Sequence, residues 1–166
     1  MALETIPIVK GFWHLLRWLP GVLLRWHFSR GKLAQLIYVD IRPRHNSAVV
    51  DLSESTSFSL YLMAINLSPF SVELDRAVFQ FWLGNSKIDA SILKKQVIAP
   101  GEIASLYISA TIPEGPANQF AKHLGNPVAL DGHIEFNCNV RPFAKTVGRL
   151  DGIIPVIYNA NVRKDA

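Results

Sequence analysis

From Ser57 onward, apolar residues return at every second position, which is the period of a pleated strand with one buried and one wet face. Ser57 to Ile65 sets Phe58, Leu60, Leu62 and Ala64 on one face against Ser59, Tyr61, Met63 and Ile65 on the other. Ala77 to Leu83 directs Phe79 and Phe81 inward, with Val78, Gln80 and Trp82 outward. Ala104 to Ile112 alternates throughout, and Val128 to Val140 gathers Val128, Leu130, Ile134, Phe136 and Cys138. Turn residues separate these runs: Ser68-Pro69, Gly84-Asn85, Pro100-Gly101, Asn126-Pro127 and Asp151-Gly152. At Asp75-Arg76 the parity slips between Val72/Leu74 and Phe79/Phe81, which predicts a bulge within one strand. One short helix is expected at 116–124, with Pro116 near its start, Phe120 and Leu124 one turn apart and Gly125 as its stop. Seven or eight short strands at this spacing predict a mainly β chain arranged as an antiparallel β-sandwich.

The first 44 residues obey a different period. Thr5 and Pro7 form a helix start, and Ile8, Phe12, Leu15, Leu16 and Leu19 recur at helical spacing, while Lys10, His14 and Arg17 share another face. Pro20-Gly21 ends or kinks this amphipathic helix. Val22 to Phe28 then repeats the mixture of apolar and basic residues. Ser29-Arg30-Gly31-Lys32 reads as a polar, basic hinge, and Leu33 to Ile41 as the first strand, ended by Pro43. The expected organisation is an arm over 1–32 and a β-domain over 33–166.

Three of the four tryptophans, Trp13, Trp18 and Trp26, lie in the arm. So does the basic charge. Residues 1–45 hold seven Lys/Arg against two acids, a net +5, whereas the remainder is close to neutral at −1. A basic field spread over the whole chain for nucleic acid is therefore not expected. A cationic residue at mid-bilayer costs about 2.5 to 3.5 kcal/mol on insertion scales, so Arg17 in the middle of the apolar run weighs against a span. Lying in the interface avoids that cost, because Trp and Lys/Arg suit the headgroup layer. The arm's three readings are an interfacial or partner-bound helix, a helix packed on its own domain, and a span; the first is expected. Its contact residues are Lys10, Phe12, Trp13, Leu16, Arg17, Trp18, Leu19, Leu23, Arg25, Trp26, Arg30 and Lys32. Apolar outward positions on two strands, Tyr61, Met63 and Ile65 with Val78 and Trp82, would make a second contact patch if those strands were neighbours.

Chemistry is sparse. Asp131 and His133, two apart on a strand, are the nearest approach to an acid/base pair, and no nucleophile or glycine-rich elbow stands beside them. The five histidines have no metal-ligand spacing, and the Gly residues are scattered among turns with no phosphate-cradling loop. Arg141, Lys145 and Arg149 form a modest basic cluster, read as a solvated sheet edge. A lone Cys138 rules out an internal disulfide, fits a reducing compartment and reads as a small core residue. The arm is a poor secretory signal, because Arg17 and His14 interrupt it and no small-residue cleavage site follows; Met1 is expected to remain. Hydrophobic residues make up 49% and charged residues 18%, with mean hydropathy +0.20, so some apolar surface is expected to meet lipid or a partner.

Asn66-Leu67-Ser68-Pro69-Phe70 before a strand, the Gly84 turn, and Val97-Ile98-Ala99-Pro100-Gly101-Glu102 leading into the strand that ends at Ile112-Pro113 together resemble the WHy domain of group-two late embryogenesis abundant proteins. The helix near 116–124 and Leu130-Asp131-Gly132-His133-Ile134 resemble that family's late helix and glycine-containing strand, so the similarity covers about 49–152. The Asn-Pro pair typical of the family is here spread to Asn66 and Pro69. The resemblance implies a fibronectin/immunoglobulin-like sandwich, no catalytic residues, and a role around desiccation stress or lipids. The arm lies outside it. The combined expectation is a non-catalytic accessory subunit with no cofactor or metal, peripheral on the cytoplasmic face of a membrane, its partners lipid headgroups or transmembrane helices of a larger complex. The alternative is a lipid-binding or stress-protective module. The oligomeric state is open.

Overall fold

A computed structural model describes residues 21–41, 48–83, 86–122 and 128–163. The helix expected over Ile8–Leu19 and the kink at Pro20 lie outside these residues, as do Lys10, Phe12, Trp13, Leu16, Arg17, Trp18 and Leu19, and the turns at Gly84-Asn85 and Asn126-Pro127.

Two short helices come first, α1 (Gly21–His27) and α2 (Arg30–Gln35), then strands β1 (Ile37–Ile41), β2 (Ala48–Asp51), β3 (Ser57–Asn66), β4 (Val72–Leu83), β5 (Ser86–Ile92), β6 (Gln96–Ile98) and β7 (Ile103–Thr111). Helix α3 (Glu114–Lys122) precedes β8 (Val128–Cys138), β9 (Phe143–Ile153) and β10 (Val156–Tyr158), and a 3-10 turn spans Ala160–Arg163. The chain is mainly β, in two largely antiparallel sheets. In the first, β3 is central, with β7 on one side and both β1 and β2 on the other, and β10 beyond β2. In the second, β4 is central, with β5 and β6 on one side and β8 then β9 on the other. The β2–β10 pair is parallel, a departure from the expected all-antiparallel pattern.

The period-two reading locates the core. Phe58, Leu60, Leu62 and Ala64 of β3 are buried, as are Phe79 and Phe81 of β4, and Phe58 stacks on Phe81 with ring centroids 4.0 Å apart. Those rings belong to different sheets, so the two inner faces share one apolar core. The parity slip is a register shift between Leu74 and Arg76 against β8, which lets Leu74 and Ala77, three apart, both point inward. The late helix begins at Glu114, before the expected Pro116, and buries Ala117, Phe120 and Ala121. Cys138 is half-buried against the core, its thiol donating to the Arg141 carbonyl at 3.2 Å.

Two expectations near residue 30 are corrected. Ser29 begins a helix and is not part of a hinge: its hydroxyl accepts from the Lys32 backbone N–H at 3.3 Å, capping α2. The first strand accordingly starts at Ile37, not Leu33, because the helix carries the chain to Gln35. Leu33 is fully buried, and the core includes Phe28 as well.

At the other end of the chain, the Asp51 carboxylate accepts from the Asn159 side chain at 2.8 Å and from the Ser53 backbone N–H at 3.0 Å, which holds its pKa below the usual value. A depressed carboxyl contributes stability above its unfolded pKa, about 3.9, and loses it as pH falls through the lower folded value. The contact ties down the stretch just after β10, where Leu52 N–H also donates to the Tyr158 carbonyl at 3.0 Å. Amide-exchange protection over Val156–Tyr158 should therefore fall in acid below about pH 4. Asp51→Asn should remove that pH dependence; an unchanged dependence in the variant would place its cause elsewhere.

Candidate interaction surfaces

The described end of the arm has two opposed faces. Leu24 and Phe28, one turn apart, turn toward the body: Leu24 packs against the core, and Phe28 is buried, meeting Phe70 edge-on with centroids 5.1 Å apart. Leu33 follows into the core, worth roughly 2 to 3 kcal/mol for a fully buried leucine. The backbone is tied as well. Leu67 N–H donates to the Leu36 carbonyl at 2.8 Å, and the Arg141 guanidinium donates to the Arg25 carbonyl. Arg141 is thereby bound to the backbone of the arm, while Arg149 lies over the Trp82 ring. The other face of α1 is apolar yet open: Trp26 is 85% exposed and Leu23 49%, and Arg25 of α1 and Arg30 and Lys32 of α2 are exposed too. The sequence singled out Leu23 and Trp26 but missed Phe28; its i, i+4 spacing from Leu24 is the signal that would have found it.

Beside Phe28 lies a polar knot assembled from the motifs that carry the family resemblance. Asn66 is fully buried, and its side chain uses every bonding position it has. Nδ2 donates to the Phe70 carbonyl at 2.7 Å and the Ile98 carbonyl at 2.9 Å, while Oδ1 accepts from Ser68 N–H at 3.0 Å and Ser68 Oγ at 2.6 Å. Its backbone bonds to Glu102 and Gly101, and Glu102 Oε2 accepts from Ala99 N–H at 2.6 Å. Gly101, at φ 72°, occupies the left-handed position of the Ala99–Glu102 turn, with Pro100 before it. The knot joins the β3–β4 and β6–β7 turns.

The second patch is not contiguous. β3 and β4 belong to different sheets, so Tyr61, Met63 and Ile65 face outward on one side of the molecule and Val78 and Trp82 on the other. On the first side, Tyr61 meets Tyr107 of β7 at 4.9 Å between centroids, and Ile65 lies between Tyr38 of β1 and Ile103 of β7. Tyr38 donates its hydroxyl proton to Asp40 at 2.6 Å, and that bond to the carboxylate holds the phenol's pKa above its usual value. On the second side, Trp82 donates to Asp131 at 2.9 Å and carries Arg149 and Lys87 over its ring at 5.7 and 5.9 Å. Asp131 is thereby engaged with an indole, and it and His133 sit on the outward face opposite Gln80 and Val78. Among the described residues, no group of three or more His, Cys, Asp or Glu is arranged to hold a metal ion. None of the described helices is long and apolar enough to cross a membrane.

No protein-family model and no curated protein matches the chain. Solved structures do. A putative ApaA protein from Bordetella pertussis superposes with TM-score 0.50 at 11% identity, covering 72% of this chain and 94% of its own. A protein from Arabidopsis thaliana, solved in solution, gives TM-score 0.50 at 11% identity over 73% of this chain and 83% of its own. At such identities the likeness is one of fold alone. A putative late embryogenesis abundant protein matches at TM-score 0.37 and 10% identity over 90% of this chain and 88% of its own, too low to support an argument about fold.

Proposed function

We propose that this chain is a non-catalytic accessory subunit: a fibronectin/immunoglobulin-like β-sandwich, related to the WHy domain, held peripherally on the cytoplasmic face of a membrane by its N-terminal arm. The observation that carries this reading is the open apolar face of α1. Trp26 and Leu23 stand in solvent on a helix whose opposite face is bound to the body through Leu24 and Phe28. An indole and a leucine flanked by Arg25, Arg30 and Lys32 match the chemistry of the headgroup layer, where each basic residue adds about 1 kcal/mol near anionic lipid. Lipid headgroups, transmembrane helices of a larger complex, or both would meet this face, and no cofactor or nucleic acid enters the reading.

Cosedimentation of the full chain with vesicles containing phosphatidylserine tests the lipid contact, and gentle detergent extraction identifies a protein partner. Replacing both Leu23 and Trp26 with Asp should weaken retention by roughly tenfold or more without lowering thermal stability, since both side chains are exposed. Unaltered retention on vesicles and in extracted membranes would sink the proposal.

The second reading, a lipid-binding or stress-protective module, draws support from the Asn66 knot, which gives the WHy-like motifs a shared structural role. Lipid extracted from the purified full chain would favour it over a subunit. A truncation meant to separate the readings should end before Gly21, because removing residues up to 32 takes Phe28 out of the core.

A further inference from the structure

Sheet edges expose unpaired backbone groups, and proteins ordinarily blunt them with charge, proline, bulges or shortness. Among the described edge strands, β1 and β5 carry charged residues, β9 carries charges and register shifts, and β6 and β10 are three residues long. β7 has none of these four protections and no described strand pairs with its outer edge, though β5 and the segment after it lie alongside. β7 is nine residues long, contains no charge, proline or glycine, and pairs with β3 through nine successive positions without a shift. Between the Ser91–Gln96 segment and the strand runs a groove of about 520 Å³, lined on the β7 side by Ser105, Leu106, Tyr107 and Ser109.

The sequence of β7 reads Ile-Ala-Ser-Leu-Tyr-Ile-Ser-Ala-Thr, which is close to a palindrome about Tyr107. We propose that two copies of this chain pair antiparallel through β7, with Tyr107 on a two-fold axis. In that register Ser105 faces Ser109 of the second copy, Ala104 faces Ala110, Leu106 faces Ile108, and Ile103 faces Thr111. Every polar residue then opposes a polar or β-branched one and every inward apolar residue another, with no like charges meeting. A two-fold interface requires such self-complementarity, because residue i must meet j while j meets i. The alternation stays in phase across the junction, so the first sheets of both copies become one sheet with a continuous core face. On its outward face the Tyr61–Tyr107 pair, 4.9 Å apart, continues into the same pair of the second copy. Tyr107 is 51% exposed and free to make that contact.

Sedimentation velocity of the full chain in detergent should show a concentration-dependent monomer–dimer equilibrium. Tyr107→Lys sets two ammonium groups against each other on the axis and should raise the dissociation constant by about tenfold or more. Register is read by cross-linking in a Cys138→Ser background. Tyr107→Cys should oxidise to a covalent dimer, whereas Ser105→Cys alone should not, since the two copies of position 105 lie about 13 Å apart along the strands. Mixing Ser105→Cys chains with Ser109→Cys chains should restore the cross-link. A monomer at every concentration, a dimer indifferent to Tyr107→Lys, or Ser105→Cys cross-linking as readily as Tyr107→Cys would overturn the proposal.

Discussion

Replacing Asn66 with Leu should destabilise the fold by about 4 kcal/mol, the largest effect expected of any single side chain here. The substitution keeps the volume near constant and removes all four hydrogen bonds of the side chain. The Ile98 carbonyl and the Ser68 backbone N–H would then be left at a buried site without that partner, while the Ser68 hydroxyl still donates to the Phe70 carbonyl at 3.0 Å. Each orphaned group costs about 1 to 3 kcal/mol, and relaxation of the turn recovers part of the sum. Urea unfolding measures the loss directly, and a midpoint shift worth less than about 1 kcal/mol would show that water replaces the side chain freely. Asn66→Asp offers a second readout. A carboxylate cannot donate to the two carbonyls, so the folded state favours the protonated acid and raises its pKa above the unfolded value. Stability of that variant should therefore improve as pH falls through the raised folded pKa, the reverse of the behaviour expected around Asp51.

Gly132→Ala should cost about 3 kcal/mol, with Gly132→Val worse. Gly132 sits on β8 directly across from Phe79 of β4, and the Phe79 ring occupies the space a side chain would fill. A Cβ there would lie 2.3 Å from the Phe79 ring and 2.7 Å from the Val78 carbonyl oxygen. The ring is fully buried and the carbonyl is backbone, so neither gives way cheaply. Trimming the ring should relieve part of the clash. The double variant Gly132→Ala with Phe79→Leu is expected to lose less than the sum of the two single losses, by about 1 kcal/mol or more. Strict additivity would mean that the backbone shifts to accept the methyl group and that the ring is not what demands glycine.

Both sites bear on how much could be read before folding. The alternating runs identified β3, β4, β7 and β8 and the residues they bury, because a strand with one wet face must repeat every two residues. The slip at Asp75 was legible for the same reason. Gly132 was visible as a glycine in a strand, but the ring above it comes from Phe79, far away in sequence. Asn66 and Glu102 were visible as motif letters; their partners lie across a turn contact between residues 66 and 98 that no local period encodes.

The patch of Tyr61, Met63, Ile65 and Trp82 failed on the same ground, since spacing along a strand says which side chains share its face but nothing about which strand lies beside it. For the arm, the basic, Trp-rich composition is plain in the sequence, while the amphipathic helix and its break at Pro20 are expectations that fall outside the described residues. Tertiary structure decided which apolar residues of its described end the protein keeps for itself. Phe28 and Leu33 fit a space closed by Phe70, β1 and β9, whereas Trp26 is left largely exposed and Leu23 about half exposed. Hydrophobicity is a property of each residue, while burial depends on a complementary surface that only the folded sheets create.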